Sequence, residues 1–280
     1  MRVCAQFAFC VALAARAFGA GATEAELSLT AGGRTMTYAR ASLLGIPGAT
    51  TISVADDAVY KRAMSFRAVP AAALLSGASG DESVRFSRAD GSGLVLPAAL
   101  LLARPGAATA YLAVETDDAP WPPLRSEKRA TAGPFYLVWT APERSGVTAE
   151  LWASQITHVE ILPSLARRFP MLVPGAAASA KSPARRGFVV YVRQCSMCHT
   201  LNGGGDTGIG PDLNIPYNPT EYLRVDALRR LIRDPQSLHR WPESRMPAYS
   251  KAALSDRELT DLVDYLRYMA DRKIVAGSAK

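Results

Sequence analysis

The residues of this chain with the most specific chemistry are Cys195, Cys198 and His199, which stand together as Cys195-Ser196-Met197-Cys198-His199. Two thiols three positions apart occupy one helical turn, so both can form thioethers to the two vinyl groups of one haem. The imidazole that follows at once then lies under the iron, where it can serve as proximal ligand. Two other chemistries use paired cysteines. A zinc site needs two further Cys or His ligands at short spacing, and none follows here. A thioredoxin-like dithiol has a strand before it and a helix after it. Here the pair closes a helical stretch and a glycine-rich loop follows. The expected cofactor is one covalently attached haem c, held by Cys195 and Cys198 with His199 on the iron.

The elements that must position this pentapeptide are helical. Ser182-Pro183 starts a helix well, with serine as cap and proline at the first helical position. Before it, residues 174–183 are small with proline at each end, a short semi-flexible linker. After the pentapeptide, Val225, Leu228, Leu231 and Ile232 form an apolar helical stripe that ends at Asp234-Pro235. A last helix is capped by Ser255, with Glu258 placed to reach back and Leu254 and Leu259 placed to clasp the first turn. Its buried face should be Leu259, Leu262, Val263, Leu266 and Met269.

Gly187 lies eight residues before Cys195 and Tyr191 four before it, and Tyr265 sits in the last helix. In these features residues 184–280 resemble a class I cytochrome c, which implies an all-α domain. The resemblance implies that Gly187 lets the last helix cross closely and that Tyr265 packs at the crossing. Gly208-Ile209-Gly210-Pro211-Asp212-Leu213 resembles the family's proximal loop, which implies that the Pro211 carbonyl accepts the second N–H of His199. Met246, 47 residues beyond His199, falls where the family places its distal sulfur ligand. His239 is the rival, and would give a bis-histidine haem. Met197 lies between the attachment cysteines, and Met269 reads as core. Ligation by His199 and Met246 would leave no open position on the iron, so the implied function is one-electron transfer.

Residues 23–173 have a different pattern, of short strands broken by turns and short helices. Segments 25–30 and 34–38 alternate around Gly32-Gly33, a hairpin signature, and segments 84–88 and 94–96 flank Ala89-Asp90-Gly91-Ser92-Gly93. Segments 109–115 and 135–140 are apolar and β-branched or aromatic, as buried strands are. Segment 155–162 alternates and can close the sheet, while 39–44 and 70–75 read as short helices. The expected fold is α+β. The Asp90-Gly91 turn, the Tyr111-to-Glu115 strand and Gly133-Pro134-Phe135-Tyr136-Leu137-Val138-Trp139 resemble the molybdopterin-binding domain of the sulfite oxidase family. That family ligates molybdenum through a cysteine thiolate, and residues 23–180 contain no cysteine. The resemblance therefore implies a degenerate relative, with the mixed-sheet fold kept and the metal chemistry lost. His158, the one histidine here, reads as a satisfied strand residue. An enzymatic alternative stays open: a molybdopterin oxidoreductase, or its electron-transfer subunit, whose electrons drain to the haem.

Residues 1–22 read as an export signal, with Arg2, an apolar run from Val3 to Ala15 and small residues through Ala22. A periplasmic protein is expected. Cys4 and Cys10 belong to that segment, so no thiol is left over for a disulfide. Beyond it no apolar run reaches the roughly 18 residues that a spanning helix needs. Residues 23–180 hold 14 basic and 14 acidic side chains, while 181–280 hold 16 and 11. The excess gathers at Arg224, Arg229, Arg230, Arg233, Arg240 and Arg245. Two roles fit it: a solvated face offsetting haem propionates, or a docking patch for an acidic redox partner. An exported chain without a recognition motif is not expected to bind nucleic acid.

Overall fold

Gly32 and Gly33, with φ of 56° and 77°, reverse the chain between strands β1 (Glu26–Ala31) and β2 (Arg34–Ala39). A side chain at either position would be strained, which is why the turn needs glycine. The computed structural model describes residues 25–102, 104–124, 130–176, 178–240 and 242–274. The expected signal, residues 1–22, lies outside them.

The N-terminal region holds two sheets rather than one. In the first, β5 (Ser83–Ser87) and β6 (Gly93–Pro97) form the second expected hairpin. Strand β9 (His158–Leu162) pairs antiparallel with β5 and parallel with β1, giving the mixed order β2-β1-β9-β5-β6. The second sheet is antiparallel, with order β3-β4-β7-β8. Two of its strands, β7 (Thr109–Val114) and β8 (Phe135–Thr140), are the apolar runs expected to be buried. The other two, β3 (Thr50–Val54) and β4 (Met64–Pro70), carry no such signal. Their exposed positions carry Thr, Ser and Arg, and β3 buries only Ile52 and Val54. Short helices α1 (Arg40–Leu44), α2 (Ala71–Leu74) and α3 (Ala98–Leu101) connect the strands.

The two sheets share one core. Leu27, Phe86 and Val159 of the first meet Phe66, Leu112 and Phe135 of the second. Strand β8 is an edge, yet Phe135 through Trp139 are all buried. A following segment covers that edge: Leu137 N donates to Ala153 O at 2.8 Å and Ile156 N to Phe135 O at 2.9 Å. An apolar edge left open would invite pairing with other chains.

The C-terminal region is helical. Helix α5 (Pro183–Val190), α6 (Pro219–Tyr222), α7 (Val225–Arg233) and α8 (Asp256–Ala270) surround a second core. The expected caps are present: Ser182 Oγ accepts from Arg185 N, and Ser255 with Glu258 forms a reciprocal box. Helix α4 (Leu165–Arg168) sends its apolar side chain into this second core, as does Leu172. Tyr265 Oη donates to Leu172 O at 2.8 Å. Residues just before the linker thus pack with the helical domain. No helix among the described residues is long and apolar enough to cross a membrane.

Candidate haem site

The site begins at the crossing of α5 and α8. A β-carbon on Gly187 would overlap Asp261 O and lie 2.6 Å from Tyr265 Cβ, so only glycine permits this approach. Tyr265 packs against Tyr191 with ring centroids 5.6 Å apart and the rings tilted by 41°. Tyr191 Oη in turn donates to His199 O at 2.9 Å. The helix crossing is thereby tied to the backbone of the attachment segment.

Between α5 and the cysteines the chain makes one π turn, Tyr191–Cys195, in which Ser196 N reaches back to Tyr191 O at 2.9 Å. Such single wide turns occur often at functional sites. The turn brings Cys195 and Cys198 together as free thiols that both line one cleft. Burial pushes the Cys195 thiol up to about 12 and the Cys198 thiol up to about 11, with the nearby Cys198 and Glu150 adding to the two effects in turn. Both thiols are therefore protonated near neutral pH.

The proximal loop closes on the His199 ring. His199 Nδ1 lies 2.8 Å from Pro211 O, leaving Nε2 as the ring nitrogen available to a metal. Burial pushes the His199 pKa down, toward the neutral ligand form, against the opposing pull of the Pro211 carbonyl. Gly210 has a role the sequence did not suggest. A β-carbon there would lie 2.6 Å from His199 Cε1, so its absence gives the imidazole room. Asp212 holds the loop's shape by accepting from Asn202 N, Gly203 N, Asn214 N and Ile215 N, at 2.8–3.1 Å. Burial alone would raise its pKa, but these donors prevail and hold it below the usual carboxylate range.

Three buried asparagines then fasten the loop to α8. Asn214 Nδ2 donates to Asn202 Oδ1 and to Met269 O, and Asn218 Nδ2 donates to Asn214 Oδ1 and to Leu266 O. Side-chain amides here add a second donor to carbonyls in the last turns of the helix, where Met269 O also accepts from Arg272 N at 2.8 Å. Only the partners reveal this role; asparagine in a loop reads as an ordinary turn residue.

Met246 lines the same cleft as the attachment segment, half-buried among residues of the second core. Its loop is pinned from two sides. Tyr249 Oη donates to Gln194 O at 2.7 Å. Arg233 Nη1 donates to Tyr249 O at 2.9 Å and to Leu254 O at 2.6 Å, and its other nitrogen pairs with Asp256. The cleft encloses about 440 Å³ and is lined mainly by apolar groups, including Leu228, Ile232 and Leu266. His239 is exposed and is not among the lining residues. Met269 is buried in the second core and Met197 in the first, against the N-terminal domain.

The arginines expected to form one patch have divided tasks. Arg233 is the loop clamp just described, Arg229 donates to Thr260 Oγ1, and Arg224 pairs with Asp226. Arg230 donates to Ser237 O at 3.4 Å, while Arg240 and Arg245 are exposed near the Met246 loop.

Two free thiols, a histidine oriented through its far nitrogen and a thioether share one apolar cleft, and this donor set fits a covalently held haem. Such an arrangement defines a haem-binding electron-transfer domain. The cytochrome c family model matches residues 184–270, and these residues form a cytochrome c domain. Two similar proteins are the cytochrome c subunits of quinone alcohol dehydrogenases from Gluconacetobacter polyoxogenes and Komagataeibacter europaeus. Each is 33% identical over 97 residues, covering 32% of this chain and 20% of the relative. The chain thus matches about a fifth of the length of each relative.

Proposed function

We propose that the protein is an exported, periplasmic monohaem c-type cytochrome that passes single electrons between redox proteins, its N-terminal domain serving as scaffold or docking module. The observation that carries this reading is the bond of His199 Nδ1 to Pro211 O within the cleft that Met246 also lines. When bound, the haem supplies the one-electron ferric–ferrous couple. Cys195 and Cys198 would hold it through their sulfurs. Pro211 keeps the His199 ring in one tautomer and makes it the stronger donor. Met246 would supply a thioether sulfur to the iron, a ligand that favours the ferrous form. Gly210 and Gly187 keep bulk away from the imidazole and from the helix crossing. The surrounding leucines and isoleucine exclude water, which limits the reorganisation that accompanies a change of charge. No proton has to move.

A redox partner is part of this reading, since the relatives named above are dehydrogenase subunits. The exposed Arg240 and Arg245 beside the Met246 loop suit an acidic one. The proposal is tested by expressing the full chain with a haem-attachment system. Haem should stay with the polypeptide after denaturation, and Cys195→Ser with Cys198→Ser should release it. The ferric spectrum should be low-spin and lose its sulfur signature in Met246→Ala.

A further inference from the structure

The N-terminal domain does not merely precede the haem domain. It touches three segments that line the haem cleft: the attachment segment, the proximal loop and the loop that carries Met246. At the attachment segment, Met197 is only 2% exposed and belongs to the core of the N-terminal domain, with Cys198 packed against that core. On the proximal side, Thr207, Gly208 and Ile209 face Gly93, Leu94 and Val95 of β6 across a small cleft. Asp206 is clamped there: Arg168 Nη1 lies 2.6 Å from it and Arg85 Nη2 3.9 Å, while Arg168 Nη2 donates to Ser83 of β5 at 3.1 Å. On the distal side, a β-carbon on Gly146 would be 3.2 Å from Tyr249 Cε1, three residues beyond Met246. The apolar plug and the ion-pair clamp act at different points on the same seam.

Among the described residues, the side of the cleft at Tyr222 and Arg245 is open. Among its lining residues, Tyr222 is 64% exposed, and Pro211, Glu243 and Arg245 are exposed as well. We propose that the N-terminal domain is a built-in cap on the Cys198 edge of the haem, so that external redox proteins exchange electrons only through the mouth at Tyr222 and Arg245. The partner surface that fits this mouth has an apolar centre to meet the Tyr222 ring and acidic groups to meet Arg245. This rests on the haem-protein reading above and adds which edge is used.

The test uses the full haem-loaded chain and tris(phenanthroline)cobalt(II), a bulky outer-sphere reductant that gives one electron to the ferric iron with no bond made or broken. Tyr222→Cys is coupled to a large maleimide, and Arg34→Cys, on the exposed start of β2, carries the same label as control. Blocking the one reactive patch should slow reduction by about tenfold or more, whereas the Arg34 label should leave it unchanged. Met197→Asp with Asp206→Ala should undock the cap, raise amide exchange at 93–95 and 207–209, and remove the effect of the Tyr222 label. A Tyr222 label without effect, on protein with an intact haem spectrum, overturns the proposal and leaves the haem reading standing. So does a label that slows reduction equally after amide exchange shows the cap undocked. If the double variant does not fold, the comparison of Tyr222 and Arg34 labels decides alone. Protein that attaches no haem would instead refute the function on which the proposal is built.

Discussion

Gly187 and Asp261 approach so closely that α5 and α8 touch backbone to backbone, with no space for a single methyl group between them. The contact is reinforced by Arg186, whose Nη2 and Nε reach both oxygens of the Asp261 carboxylate at 2.6 and 2.8 Å. Forcing a methyl group into such a site costs about 1–3 kcal/mol, more where backbone must move. Gly187→Ala should therefore lower the stability of the haem domain by that amount. Gly77→Ala, which meets nothing within 4 Å among the described residues, should leave the stability nearly unchanged. Equal effects on chemical denaturation would show that the crossing is not what makes glycine necessary.

Met246→Ala should remove the weak long-wavelength charge-transfer band of sulfur-ligated ferric haem and lower the reduction potential, because a softer axial ligand stabilises the ferrous state. His239→Ala should do neither, since His239 does not line the cleft. A wild-type ferric protein without that band would rule out Met246 as ligand.

The haem domain should depend on residues that precede the linker. Leu165 and Leu172 are buried in its core, and Leu172 O accepts the Tyr265 hydroxyl. A chain of residues 163–274 should fold with a native-like haem spectrum. One of 181–280 should be less stable by several kcal/mol, because two buried leucines are lost at about 2–5 kcal/mol for each truncation of that kind. Equal melting temperatures would place those leucines outside the cooperative unit.

Asp57 gives the N-terminal domain a distinctive response to pH. It is fully buried, and Oδ1 accepts from Val59 N, Tyr60 N and Tyr136 Oη, while Oδ2 has no partner among the described residues. Burial raises its pKa, outweighing those bonds. The folded state thus binds the proton more tightly than the unfolded chain does. The stabilisation is complete below the unfolded carboxylate value of about 4 and is lost as pH rises through the folded value. Asp57→Asn removes that ionisation. The stability difference between variant and wild type, followed by tryptophan fluorescence, should shift in favour of the amide variant as pH rises through that window. A difference independent of pH would mean Asp57 is ionised at no cost.

Reduction by the natural donor should slow as ionic strength rises from about 10 to 300 mM, as the screening length falls from roughly 30 to 6 Å. Arg240→Glu with Arg245→Glu should flatten that dependence. Arg233→Glu should instead unfold the Met246 loop, since Arg233 bonds its carbonyls. A rate indifferent to salt would leave the haem assignment intact and remove the acidic partner.

The sequence alone carries the local chemistry of this chain. Cysteine spacing, the capping serines and the paired glycines of the first hairpin each work through neighbours within a few residues. Their energetics need no distant partner, so one stretch of chain suffices to read them. The apolar strands β7 and β8 were readable for the same reason: a strand buried on both faces carries its burial in its composition. Strands β3 and β4 were not, because their half-polar pattern gains meaning only against the opposite sheet. The tasks of Arg233, Asn214 and Asn218 were equally hidden, since each is defined by carbonyls far along the chain. Met197 shows the division most sharply. Its position between two haem cysteines was evident from the sequence, but its burial in the other domain's core was decided by the docking of two folded surfaces. Side-chain type and spacing determine what a site can bind; long-range packing determines which of its edges remains open.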